Sequence, residues 1–127
     1  MKRLIVSISI LLLLGGAAGW HVFHLSKLIH QTSELVEQAA SAMEQEDWER
    51  AKHLTHQAIQ FWNSHDNYLH NTLRHTDVDG VLFSFHTLLA HLEHQQLTGS
   101  GLACAAQLLT QLTLILEGEL LTWSNLL

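Results

Sequence analysis

No proline interrupts this sequence, and it holds a single cysteine, Cys104. The first absence leaves long helices free to run unbroken. The second excludes an intrachain disulfide and the paired-cysteine redox and zinc patterns; at an apolar helix position the lone thiol reads as a small hydrophobe. Formal charge is sparse, 14% of the 127 residues against about 25% in an average domain. Basic residues are sparser still. From His24 onward only Lys27, Arg50, Lys52 and Arg74 stand against all twelve acidic residues, a formal charge of −8 with the histidines neutral. A phosphate backbone is bound through clustered Lys and Arg. No such cluster exists here, so nucleic acid is not an expected partner, and anionic headgroups are a poor docking surface for this part of the chain.

What is present in quantity is apolar sequence and histidine. Lys2 and Arg3 precede residues 4–23, which carry no formal charge and only Ser7, Ser9 and His21 as polar side chains. Twenty helical residues span about 30 Å, the thickness of a bilayer's hydrocarbon core. The flanking Lys2 and Arg3 favour a cytoplasmic N-terminus, and Trp20 stands where an interfacial aromatic anchors the outer end. The alternative is a secretory signal peptide with an apolar region over 4–14 and small residues from Gly15 to Gly19 for cleavage. Retention is favoured, because the apolar run continues past the small residues and the next helix follows without a break. No cysteine follows the apolar region, so this is not a lipoprotein signal. Residues 1–23 are therefore expected to be a membrane anchor, and 24–127 one domain outside the cytoplasmic membrane, or secreted if cleavage occurs.

The rest of the chain carries a helical period. Leu25, Leu28, Ile29, Thr32, Leu35, Val36, Ala39 and Met43 form one apolar stripe, ending at the polar turn Glu44, Gln45, Glu46, Asp47. Asp47 is a natural N-cap for a second helix, with Glu49 in its first turn. That helix is striped by Trp48, Ala51, Leu54, Thr55, Ala58, Phe61, Trp62 and Leu69. The fourteen-residue spacing of Trp48 and Trp62 places both on one face, toward the first helix. Thr76 with Asp79 predicts a capping box opening a third helix, striped by Val78, Val81, Leu82, Phe85, Leu88, Leu89 and Leu92. Thr98, Gly99, Ser100 and Gly101 predict a loop. A fourth helix over about 102–121 carries Leu102, Ala105, Leu108, Leu109, Leu112, Ile115 and Leu116, with Gln107 and Gln111 opposite. Those glutamines, with Glu117 and Glu119, speak against a second membrane span. The expected fold is all-α: an N-terminal transmembrane helix followed by an antiparallel four-helix, two-hairpin bundle.

Several of these residues form a recognisable set. They are the Met-Lys-Arg start before one apolar helix, the run Asp47-Trp48-Glu49-x-Ala51, Trp62 fourteen residues after Trp48, and His75 thirteen after Trp62, opening His75-Thr76-Asp77-Val78-Asp79. In this the chain resembles, over essentially its whole length, the family catalogued as domain of unknown function number 4363, small membrane-anchored proteins of Gram-positive bacteria. The last element looks like the family's His-x-Glu-Ile-Asp, with Asp77 and Val78 here in place of Glu and Ile. The resemblance implies topology and fold; it implies no activity.

Candidate chemistry is thin. His75, Asp77 and Asp79 share a side only in an extended segment; at a helix start the two carboxylates serve capping and the helix dipole, so with Trp48 and Trp62 these motif positions read as structural. The pairs His21/His24, His53/His56 and His91/His94 each share a helix face, but no HExxH or Glu-x-x-His spacing accompanies them. No catalytic residue, cofactor site or metal site is expected. Protonating all eleven histidines would move the formal charge from −6 to +5, which keeps pH or metal sensing open as an alternative function. Gly99-x-Gly101-x-x-Cys104 lacks the third glycine and the preceding strand of a dinucleotide site. The C-terminal leucines exceed what one bundle helix needs, and Leu109, Leu112, Leu116, Leu120 and Trp123 are the expected partner surface. The expected function is a non-enzymatic interaction or accessory module at the outer membrane face, engaging another envelope protein or itself.

Overall fold

Five helices carry the chain in a computed structural model that describes residues 1–94 and 98–126, with the side chains of 98, 99, 123, 124 and 126 outside the description; among the described residues there is no strand. They are α1 (Lys2–Glu44), α2 (Trp48–Ser64), α3 (Asp66–Thr72), α4 (His75–His94) and α5 (Thr98–Leu126). The apolar N-terminal run and the first amphipathic stripe are one helix of 43 residues. Its two halves differ sharply. Residues 2–14 are exposed throughout, whereas Leu25, Leu28, Ile29, Thr32, Val36, Ala39 and Met43 are all buried. Thr32 enters the core at no cost in unmet polarity, since its hydroxyl donates to the Leu28 carbonyl at 2.8 Å.

The polar turn after α1 is a Schellman motif. Asp47 N–H donates to the Ala42 carbonyl at 2.8 Å and Glu46 N–H to Met43 at 3.0 Å. Glu46 occupies the left-handed position at φ 60°, where a Cβ is penalised. Asp47 then caps α2, its carboxylate accepting from Arg50 N–H at 3.3 Å. Substituting Glu46→Gly is expected to stabilise the domain by about 1 kcal/mol, read as a higher unfolding midpoint in detergent; a lower midpoint would show that the glutamate side chain itself holds the turn.

One break lies where the sequence predicts continuity. The second helical stretch divides at His65 (φ −107°, ψ 17°) into α2 and the short α3. Ser64 Oγ donates to the Phe61 carbonyl at 2.7 Å, and His65 Nδ1 lies 2.9 Å from the same oxygen. These two side chains occupy the acceptor that the next turn of helix would use. The capping box expected at Thr76 does not form: α4 already begins at His75, and the Arg74 carbonyl accepts from Asp77 and Val78 N–H. Buried Leu73, extended at ψ 167°, sets that start one step earlier. Nor are residues 98–101 a loop, for α5 starts at Thr98. Gly101 is there because the helices approach closely; a Cβ on it would sit 3.0 Å from Met43 Sδ.

α1 packs on α2 and α5, and α4 packs on α5 and α2. The largest wholly buried side chains are Trp62 and Phe85, with Leu25, Met43, Leu69, Leu88, Leu92, Leu108 and Leu112 around them. Two stretches, α1 and Ser100–Thr122 within α5, are long and apolar enough to cross a membrane by length and composition alone. α5 directs much of that apolarity inward, through Ala105, Leu108, Leu112 and Ile115. Gln111 also faces inward rather than to solvent, its Oε1 accepting from buried Ser84 Oγ on α4 at 2.6 Å.

Candidate functional site

Most of the titratable contacts collect at one end of the helices, where α1 leaves the core. His21 lies between α3 and α5. Its Nε2 is 3.2 Å from Glu119 Oε2, and its Nδ1 is 2.8 Å from Tyr68 Oη. With the proton on Nε2, Nε2–H donates to the Glu119 carboxylate and Tyr68 O–H donates to Nδ1, the His21 carbonyl lying 3.3 Å from the same hydroxyl as a second acceptor. Burial raises the Tyr68 pKa above 10.0, and nearby Glu119 raises it further, against an opposing effect of Thr72. The phenol therefore keeps its proton. His24 packs edge-on to Tyr68 with ring centroids 4.8 Å apart, Trp20 stacks on His24, and His65 lies 6.3 Å away. Residues distant in sequence thus form one polar clasp joining three helices.

The family element lies beside it. Asp77 lines two adjoining depressions of about 200 Å³ each between α4 and α5. One is walled by Thr76, Gly80 and Gln111, the other by Leu73, Arg74, Gly118 and Glu119; Leu114 and Ile115 floor both. Glu119 therefore belongs to the clasp and to the groove. Asp79 turns the other way. It stands 3.4 Å from His70 Nε2, while Asp66 Oδ1 is 2.8 Å from His70 Nδ1, and the His75 ring is 5.2 Å from the His70 ring. Hydrogen bonding to the Asp66 backbone carbonyl is the largest cause of a raised His70 pKa; desolvation opposes it, and the Asp79 and Asp66 carboxylates add to the rise. So His75, Asp77 and Asp79 do not converge: helical geometry separates Asp77 from the other two.

Trp48 is half-buried against the core and Trp62 fully buried, but Trp62 meets Phe85 of α4, with centroids 6.5 Å apart, rather than only the first helix. Of the leucines expected to meet a partner, Leu112 is wholly buried, Leu109 and Leu116 pack partly on the core, and Leu120 is exposed; the Trp123 side chain lies outside the described residues. His53, His56 and His94 are exposed, and His91 is half-buried. Among the described residues no three His, Cys, Asp or Glu side chains are grouped to hold a metal ion. Cys104 is buried, its thiol pKa raised by desolvation, and Sγ lies 3.6 Å from the Ser84 carbonyl. Sequence reasoning missed the clasp. No periodicity marks His21, Tyr68 and Glu119, which lie inside α1, α3 and α5 and meet only through packing.

No curated protein and no solved structure matches the chain. A family model does match, over residues 19–126, the span that holds the clasp, the groove and the whole core; the chain belongs to the family described as Domain of unknown function (DUF4363).

Proposed function

We propose that this protein is a single-pass, non-enzymatic interaction module, held by α1 at the outer face of a bacterial cytoplasmic membrane with its N-terminus inside. The observation that carries this reading is the continuity of α1. One helix supplies both an apolar run of transmembrane length over residues 4–23, exposed as far as residue 14, and a core stripe of the domain, so the domain is coupled to its anchor through continuous helix. Met43 beside Gly101 at one end and His21 beside Glu119 at the other support an antiparallel four-helix arrangement standing on the membrane. The groove around Asp77 carries exposed Leu114, and Phe83, one turn beyond Gly80 on α4, is exposed outside its lining. Shallow, mixed polar and apolar, it suits a segment of another envelope protein or a second copy better than a small molecule.

Alkaline carbonate extraction of membranes bearing the full chain tests the anchor, and photo-crosslinking from position 83 or 114 in those membranes tests the module. The expected results are retention in the pellet and a discrete adduct. Release of a chain lacking the first nineteen or so residues would mean a cleaved leader, and a protein that crosslinks to nothing would remove the interaction role.

The sensing alternative draws support from His70, placed between Asp66 and Asp79. Its raised pKa means that the charged form is favoured by folding. That contribution is whole below the ordinary imidazole value of 6.5 and is lost as pH rises through the higher folded value. His70→Gln should therefore melt closer to the wild-type protein above neutrality than below pH 6.5. Parallel melting curves from pH 5.5 to 8 would dismiss His70 as a pH-responsive tie between α3 and α4.

A further inference from the structure

We infer that the last two turns of α5, residues 120–126, dip into the outer leaflet beside α1, so that Leu120 and Leu121 are solvated by lipid acyl chains; this rests on the membrane reading of α1. Met43 sits by Gly101 and His21 by Glu119, so α5 beyond Glu119 runs back past the residues that precede His21. Seven residues separate Glu119 from the end of α5 at Leu126, about 10 Å of helix. That length carries it alongside the small-residue stretch of the anchor. Burial agrees. Ala18 is 2% exposed while 16, 17, 19 and 20 are exposed, so one face of α1 is covered at that level, and α5 is the helix packed on α1 whose chain continues there.

The chemistry changes at the same level. Above it lie Glu117, Thr113 and the depression walled by Thr76, Gly80 and Gln111; the second depression reaches down to Thr122, and below Glu119 Leu120 and Leu121 are exposed to 44% and 64%, with Asn125 exposed at the far end. Thr122 does not oppose burial in lipid, because its hydroxyl donates to the Gly118 carbonyl at 2.8 Å. The clasp sits at the boundary, where His21 Nε2 meets the Glu119 carboxylate, Tyr68 meets the other ring nitrogen of His21, and Trp20 is exposed as an interfacial aromatic. An apolar helix end immersed to about this depth is the geometry of an interfacial element. The domain's formal charge of −8 disfavours anionic headgroups, so the exposed leucines, and not a basic patch, make the contact with the acyl region.

The test uses the full chain in phosphatidylcholine vesicles, in a Cys104→Ala background, with a nitroxide label placed singly through Leu121→Cys, Leu114→Cys or Leu12→Cys. Leu114 lies two turns above Leu121 on nearly the same face. Collision with dissolved oxygen reports lipid, and collision with a neutral nickel chelate reports water. The expected result is an oxygen-to-nickel ratio several-fold higher at 121 than at 114, approaching that at 12, with melting midpoints unchanged from the Cys104→Ala parent. A ratio at 121 as low as at 114, with 12 still lipid-exposed, overturns the dip and leaves the anchor standing. Nickel access at 12 overturns both.

Discussion

Trp62→Ala is expected to destabilise the domain by about 3–5 kcal/mol, lowering the melting midpoint by more than about 10 °C. Trp62 is 1% exposed and joins α2 to α4 through Phe85, so its removal opens a void between two helices whose backbones are fixed by α1 and α5. The size of the loss comes from the cavity as well as from lost transfer of apolar surface, since a close-packed interior collapses only in part. A second substitution separates ring from polar atom. The indole Nε1–H is buried with no hydrogen-bond acceptor in the protein among the described residues, a defect of the kind that costs about 1–3 kcal/mol. Trp62→Phe removes that donor and leaves a smaller void, and the two effects oppose one another. The phenylalanine variant is therefore expected within about 1 kcal/mol of the native protein. Thermal unfolding of both variants in one mild detergent decides it. A phenylalanine variant as unstable as the alanine one would mean that the indole N–H is satisfied in solution.

The core was legible in the sequence because burial imposes a period. Each of Leu25, Leu28, Ile29, Val36, Val78, Val81, Phe85 and Leu92 sits where a helical stripe predicts it and is buried. The start of α2 was legible at Asp47, because an N-cap is local; the left-handed position of Glu46 was not, since no glycine or asparagine marks it. What failed is instructive in the same terms. Gly99 and Gly101 read as a loop because glycine lacks helix propensity, yet the helix runs through both, and at Gly101 a Cβ would press on Met43 Sδ at 3.0 Å. The division of the second helix at His65 came from two polar side chains taking one carbonyl, an interaction that no Gly or Pro announces. Thr76 and Asp79 matched a capping pattern, but the helix start is fixed by the burial of Leu73, a tertiary fact. The clasp was the least legible part. His21, Tyr68 and Glu119 are brought together only once three helices have packed.

Replacing leucines in α5 tests how far the C-terminal apolar surface belongs to the core. Leu112→Ala is expected to cost about 2–5 kcal/mol, because Leu112 is wholly buried among residues of the central cluster. Leu120→Ala, at a position 44% exposed, is expected to change stability by no more than about 0.5 kcal/mol. The two positions are eight residues apart on one helix and read alike in the sequence, so composition and helix propensity cancel in the comparison. Only surroundings differ. Melting curves in detergent give the stability of each variant, and sedimentation of the same samples gives the assembly state. If the leucines were a continuous seam between copies, both substitutions would lower the assembly state and neither would unfold the monomer. If α5 divides its apolar side between the core above Glu119 and lipid below it, Leu112→Ala lowers the midpoint by more than about 8 °C, while Leu120→Ala leaves both midpoint and assembly unchanged and weakens only the hold of α5 on the vesicle surface.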